Sequence, residues 1–183
     1  RLWVNEQPVI DEWENRKSGE RTGTIALTAG EKCDVRLELS NAGDKPVFAL
    51  YWSHAAQPKS LLPASQLFPS KPTNPTNPAL RSVTGLMGTY FPKADLTGEP
   101  LKRVDPNIAF EWGEAAPLPG LPADNFSVRW TARLKPAFSE SHTFQVVADD
   151  GVRLWLDGKP LIDAWREQSG TNTSVPVTLS ADR

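Results

Sequence analysis

The chain has 183 residues, with 20 Lys+Arg against 22 Asp+Glu, a formal charge of −2 and 39% apolar residues, the balance of a soluble globular protein with enough chain to bury a real core. No basic block exceeds the pairs Arg16-Lys17 and Lys102-Arg103, which excludes the electrostatic footprint of a nucleic-acid-binding protein. No run approaches the roughly 18 apolar residues of a membrane span, and no basic-then-apolar leader opens the chain.

With 17 Pro, 12 Gly, seven Trp, seven Phe and one Met, the composition predicts many short strands joined by turns, an all-β fold. Arg1 to Asp11 reads as a hairpin with Asn5-Glu6 at its tip. Lys32 to Leu39 alternates, with Cys33, Val35, Leu37 and Leu39 inward. A lone cysteine forms no internal disulfide, and Cys33 reads as a small core residue rather than a reactive thiol. Val47 to Ser53 supplies a further strand, and Pro63 to Leu67 a short turn. The stretch from Pro69 to Thr84 has repeated Asn-Pro steps and no apolar period, so 70–84 reads as an extended linker.

Beyond the linker, Asn125 to Ala132 puts Phe126, Val128 and Trp130 on one face. The runs Thr143 to Ala148 and Val152 to Leu156 flank Asp149-Asp150-Gly151, which predicts a hairpin or a sharp strand connection. Asp157-Gly158 then turns Val152 to Asp163 into a hairpin. No amphipathic helix of three turns is expected.

The chain repeats itself. Arg1 to Trp13 (RLWVNEQPVIDEW) returns as Arg153 to Trp165 (RLWLDGKPLIDAW), an offset of 153 − 1 = 152 residues, so the first 31 and last 31 residues occupy equivalent places in one period. Residues 1–69 then form the back of one unit and 85–183 the front and middle of another. Two readings stand: a window cut from a longer tandem protein, or a chain in which 32–69 complete 85–183, within one molecule or between neighbours. Trp3, Trp155, Trp13 and Trp165 recur across the repeat and are expected to be core. Trp52 and Trp112 fall outside it; each reads first as core packing, and these two are the candidates for stacking against a sugar.

Catalytic machinery is absent from the pattern: two histidines, His54 and His142, stand without a nucleophile elbow, a zinc-protease helix motif or a phosphate-cradling glycine loop. The expectation is a non-enzyme. Asp149-Asp150 is an acidic pair between apolar strands, where two carboxylates repel unless solvated or neutralised by a hard cation such as Ca²⁺.

Gly85-Leu-Met-Gly-Thr-Tyr-Phe91, Pro119-Gly-Leu-Pro-Ala-Asp-Asn-Phe-Ser-Val-Arg-Trp130, Asp149-Asp-Gly-Val-Arg-Leu-Trp155, and Leu50-Tyr-Trp-Ser53 with Leu62-Pro-Ala-Ser-Gln-Leu-Phe-Pro69 together resemble the PA-fourteen (PA14) domain, as the end of one copy followed by the beginning of a second. The resemblance implies an antiparallel β-sandwich with a jelly-roll-like core, cut across a tandem repeat. It further implies an extracellular, secreted or cell-surface setting and a non-catalytic carbohydrate-binding role. In sugar-binding members two consecutive aspartates hold calcium and the ion takes sugar hydroxyls directly, which implies Asp149 and Asp150 as metal ligands. Gly151, Trp52, Ser53, His54 and Trp112 join them as the implied glycan-binding set, His54 standing near the place where those members have an asparagine. Neighbouring copies of the repeat are the other implied partners. The alternatives are a structural repeat of a surface protein or fibre, assembling head-to-tail by strand complementation, and an accessory domain of a glycoside hydrolase.

Overall fold

The computed structural model describes residues 2–4, 7–10, 19–41, 46–69, 83–148 and 151–164, with side chains from residue 24 onward apart from Lys159 and Ala164. These hold fourteen strands: β1 (Leu2–Val4), β2 (Gln7–Ile10), β3 (Gly19–Leu27), β4 (Cys33–Ser40), β5 (Val47–His54), β6 (Gln57–Leu61), β7 (Leu67–Pro69), β8 (Leu86–Phe91), β9 (Leu101–Asp105), β10 (Ala109–Glu111), β11 (Ser127–Leu134), β12 (Glu140–Ala148), β13 (Gly151–Leu156) and β14 (Lys159–Ala164). One turn of 3₁₀ helix, Ala64–Gln66, stands where the short turn is expected. No helix among the described residues is long and apolar enough to cross a membrane.

Two antiparallel sheets make a sandwich, as the composition and the resemblance imply. The larger runs β14-β13-β4-β11-β8-β9, with β7 continuing the line of β8 along β11; the smaller runs β10-β5-β12-β3, with β6 also on β5. A separate two-stranded sheet is formed by β1 and β2. Strands from 19–69 alternate with strands from 86–164 in both layers: β4 lies between β11 and β13, and β5 between β10 and β12. Residues 70–82 of the expected linker lie outside the described residues, and its flanks are adjacent, Gly85 N–H donating to the Leu67 carbonyl at 2.9 Å.

The period of two in the sequence is what builds the core. Cys33, Val35, Leu37 and Leu39 of β4, Val128, Trp130, Ala132 and Leu134 of β11, and Phe144, Val146 and Ala148 of β12 are all buried in one cluster with Phe48, Leu50 and Trp52 of β5. Between them Arg36, Arg129 and Thr131 are half-buried and Asp34 and Arg133 exposed. Each large apolar side chain so buried contributes about 1.5–3 kcal/mol. The Cys33 thiol donates to the Leu134 carbonyl, and burial, with Asp157 nearby, pushes it up to about 12. It is held protonated at neutral pH, in keeping with a structural role.

Two local readings change. The Asp149-Asp150 connection does not close a hairpin, because β12 belongs to the small sheet and β13 to the large one; the chain crosses between layers there. Trp155 is buried at 1% exposure, but it lies on the outer face of the sheet, with the Arg36 guanidinium 4.1 Å above its ring. Trp3 is on β1 with its side chain outside the described set, and Trp13 and Trp165 lie outside the described residues. The Asp157-Gly158 turn closes β13 to β14 as expected, with φ +48° and +68°, the left-handed pair that matches the twist of a two-residue hairpin.

Gly88 in β8 faces inward beneath Trp130, its cross-strand partner. A Cβ there meets Asp105 Oδ2 at 2.6 Å and the Tyr90 ring at 2.7 Å, both held in the core. Gly88→Ala is therefore expected to destabilise by about 1–3 kcal/mol through overpacking, read as a lower urea midpoint at unchanged slope; a midpoint equal to that of the unaltered protein refutes the crowding.

Candidate functional site

The crossing from β12 to β13 sets one end of the sandwich. β12 finishes at Ala148, opposite Phe48 of β5 and Gly19 of β3, and β13 starts at Gly151, opposite Ser40 of β4. Ser40 is also opposite Ser127, the start of β11, which faces Phe91 at the end of β8. Asp149 and Asp150 lie outside the described residues, but both of their neighbours are placed: Ala148 and Gly151 are buried, and each is locked in a ladder.

Hydrogen bonds between loops make the rim of this end rigid. Ser40 Oγ donates to the Ala94 carbonyl at 2.9 Å, while Ser127 Oγ donates to the Lys93 carbonyl at 2.5 Å and accepts from Leu96 N–H at 3.0 Å. Asn41, fully buried, donates its backbone N–H to the Phe126 carbonyl at 2.9 Å and its side-chain amide to the Ala123 carbonyl at 3.5 Å. Asn41 is the residue the sequence reading passed over. Its signal is an amide side chain directly after an eight-residue alternating strand, opening the polar turn Asn41-Ala-Gly-Asp44.

Trp112 belongs to the same end, its backbone N–H reaching the carbonyl of Pro46, just before β5. Its ring is half-buried and stacks on Phe110 at 4.8 Å; Phe110 stacks on Trp130 at 5.8 Å and Trp130 on Phe48 at 5.2 Å, all within 12° of parallel. Phe126 meets Trp112 edge-on at 5.3 Å. The column carries aromatic surface from the core outward, with Trp112 as its outermost ring.

Trp52, Ser53 and His54 lie at the opposite end. β5 runs antiparallel to β12, so residues after Tyr51 pair with Gln145 back to His142 and move away from Ala148. The six steps from His142 to Ala148 span about 20 Å. Trp52 is 1% exposed, stacked on His142 at 5.3 Å with His54 at its edge, so its faces are covered by protein. His54 places Nδ1 2.5 Å from Glu140 Oε1 and Nε2 3.2 Å from Gln57 Oε1. The expected site thus divides: Gly151, the flanks of Asp149-Asp150 and Trp112 lie toward one end, while buried Trp52 and half-buried Ser53 and His54 lie at the other. Among the described residues no group of three His, Cys, Asp or Glu side chains is arranged to hold a metal ion.

His142, stacked on Trp52, adds a buried titratable group to the end that holds His54. His142 is fully buried; burial, with His54 4.9 Å away, lowers its pKa below 6.5 against the opposing pull of the Glu140 carbonyl on Nδ1 and of the Glu140 charge. The folded state therefore binds fewer protons than the unfolded one once pH falls below about 6.5, and stability drops from there toward the depressed value. His142→Phe is expected to flatten this loss, seen as a smaller difference between urea midpoints at pH 7.5 and pH 5. Equal differences in the two proteins contradict it.

Comparison with known proteins adds two findings. A sequence profile described as PA14 domain matches residues 1–66 and 82–182. The anti-sigma-I factor RsgI3 of Acetivibrio thermocellus is 34% identical over 184 aligned residues, which take in 100% of this chain and 28% of that protein. The chain thus spans less than a third of the relative's length. No solved structure gives a significant match.

Proposed function

The chain belongs to the PA14 domain family, and from that premise we propose that it is a non-catalytic carbohydrate-binding module whose site is the end of the sandwich where β12 crosses to β13. The observation that carries the reading is the convergence there of Gly151, the rigid rim of Ser40, Asn41 and Ser127, and the outer ring of the Trp112 column. Sugar sites combine an aromatic surface with a few fixed polar groups, and this end offers both.

Calcium fits this donor set in its chemistry. Asp149 and Asp150 are adjacent carboxylates, hard oxygen donors that favour Ca²⁺, and they stand between two ladder-locked neighbours. His54 is not part of the set: imidazole is a poor ligand for a hard cation, and its ring is engaged with Glu140 and Gln57 at the far end. When bound, the ion supplies a positive centre for vicinal hydroxyls. The chain's own contribution is to lock Ala148 and Gly151, the neighbours of the acidic pair, into the two sheets and to hold Trp112 toward the same end.

We place the module in an extracellular part of a longer protein. Its relative is an anti-sigma factor, which supports a sensing role in which this domain takes the glycan and another part responds. A screen of the protein against immobilised glycans, in calcium and again in chelator, tests the reading. Binding lost in chelator, and lowered at least about tenfold by Asp150→Asn with the circular dichroism spectrum unchanged, is the expected result. Silence in both conditions overturns it.

A second reading has its own support. Strands of 19–69 insert between strands of 86–164 in both sheets, so one copy has the parts to complete another head-to-tail. Light scattering that grows with concentration favours this structural repeat; a constant monomer mass rules it out.

A further inference from the structure

Two segments of this chain are built to fill one place. Arg1 to Trp13 and Arg153 to Trp165 are identical at seven of thirteen positions, and residues 2–10 and 154–162 pair as hairpins of one register. Leu2 pairs with Ile10 as Leu154 with Ile162, Trp3 with Pro8 as Trp155 with Pro160, and Val4 with Gln7 as Leu156 with Lys159. Even the irregularity recurs, between Leu2 and Trp3 and between Leu154 and Trp155. Register is set by side-chain pattern and turn, so the two hairpins are equivalent in backbone as well as in sequence.

Only one of them holds the edge of β4. There Arg153 stands opposite Glu38, Leu154 opposite Leu37, Trp155 opposite Arg36 and Leu156 opposite Val35. Arg153 Nη1 is 3.5 Å from Glu38 Oε2 and Nε 3.3 Å from Asp163 Oδ1, Leu154 is fully buried, and Arg36 covers the Trp155 ring. At the matching positions the first hairpin carries Arg1, Leu2, Trp3, Val4 and Asp11; four of the five are identical and Val4 is one methylene smaller than Leu156. Yet β1 pairs with β2 alone, outside the seven-stranded sheet. It lies against β13 and β14, and only residues 11–18 separate β2 from β3, which itself neighbours β14.

We propose that the outer edge of β4 is an exchangeable docking place, held by β13–β14 and taken in turn by β1–β2 of the same chain, in the register Arg1–Glu38, Leu2–Leu37, Trp3–Arg36 and Val4–Val35. Both claimants are tethered in the same molecule, so each competes at the high effective concentration of a short linker. The contacts exchanged are nearly the same, which keeps the two arrangements close in free energy. When β1 holds β4, Gly151 loses Ser40 as its partner. Insofar as the glycan-site reading holds, the exchange then releases the Gly151 anchor that follows the acidic pair.

Disulfide trapping tests the exchange without reference to calcium or sugar. In a Cys33→Ala background, three pairs are compared under mild oxidant: Arg36→Cys with Trp155→Cys, Arg36→Cys with Trp3→Cys, and Arg36→Cys with Val9→Cys. Directly opposed strand positions satisfy disulfide geometry and displaced ones do not. Expected are rapid closure of the first pair, slower but complete closure of the second as a monomer, and a reduced third pair. Adding Leu154→Ala, which weakens the rival hairpin, speeds the second closure about tenfold or more. If the second pair stays as reduced as the third, the proposal fails. Closure of the second pair only as a linked dimer also overturns it, assigning the edge to a second copy. Should Leu154→Ala fail to fold, the three pairs alone decide the question.

Discussion

Asp105→Ala is expected to lower the unfolding free energy by about 2–4 kcal/mol, a large share of the roughly 5–15 kcal/mol a domain has in hand. Asp105 is 2% exposed inside the sandwich. Its Oδ2 accepts from the Tyr90 hydroxyl at 2.6 Å and from Trp130 Nε1 at 2.7 Å, and its Oδ1 accepts from Arg103 Nε. Arg103 is about a third exposed and recovers water, so that ion pair adds little. The cost comes from the two buried donors. Trp130 Nε1–H and the Tyr90 O–H both lose their acceptor, while the Tyr90 oxygen still accepts from Arg103 Nη2 at 2.8 Å. Asp105→Asn, which preserves shape and one acceptor, is expected to fall between, and Tyr90→Phe near 1 kcal/mol. Guanidinium unfolding followed by tryptophan fluorescence measures all three, and an alanine variant within about 1 kcal/mol of the unaltered protein would falsify the account.

Glu38→Ala is the second large effect, again about 2–4 kcal/mol. The carboxylate is 3% exposed on the outer face of β4, with Arg129 Nε at 2.7 Å, Arg153 Nη1 at 3.5 Å and Arg36 Nε at 3.9 Å. Arg36 and Arg129 are each more than a third exposed, so their attraction is screened and counts for little. Arg153 is nearly buried, and without Glu38 it loses one carboxylate beside two other guanidiniums while its contact with Asp163 stays. Raising salt is expected to shrink only the part of the loss that belongs to Arg36 and Arg129. Glu38→Gln separates charge from packing, since it keeps the volume and an acceptor. A salt-independent loss in both variants would point to packing, and no loss in Glu38→Ala would remove the ion cluster from the account of how β4 is held.

Much of the fold was legible because alternation reports burial directly. The inward sets of β4 and β11, the Asp157-Gly158 turn and the hairpin at 2–10 follow from residue pattern alone. Layer membership was not legible. Nothing in Thr143 to Leu156 tells a hairpin from a crossing, because both leave two apolar runs around a polar step; only the pairing of β12 with β5 and of β13 with β4 distinguishes them. The candidate site shows the same limit. Gly151 and Trp112 lie toward one end of the sandwich, whereas His54, grouped with them through the family resemblance, is carried by strand direction to the other end. Asn41 and Asp105 escaped notice because a single polar residue beside a strand looks the same whether it ends buried or solvated.

The placing of β4 between β11 and β13 also sets a timetable. During synthesis β4 emerges before both strands that flank it, which begin at Ser127 and Gly151. Until they leave the ribosome its backbone donors and acceptors have no sheet to join, and the apolar face of Leu37 and Leu39 stays uncovered. β3 and β5 wait likewise for β12. Chains dominated by such distant pairings fold slowly, and exposed strand edges are sticky in the interval. The large sheet can close around β4 only once β11 and β13 have been made.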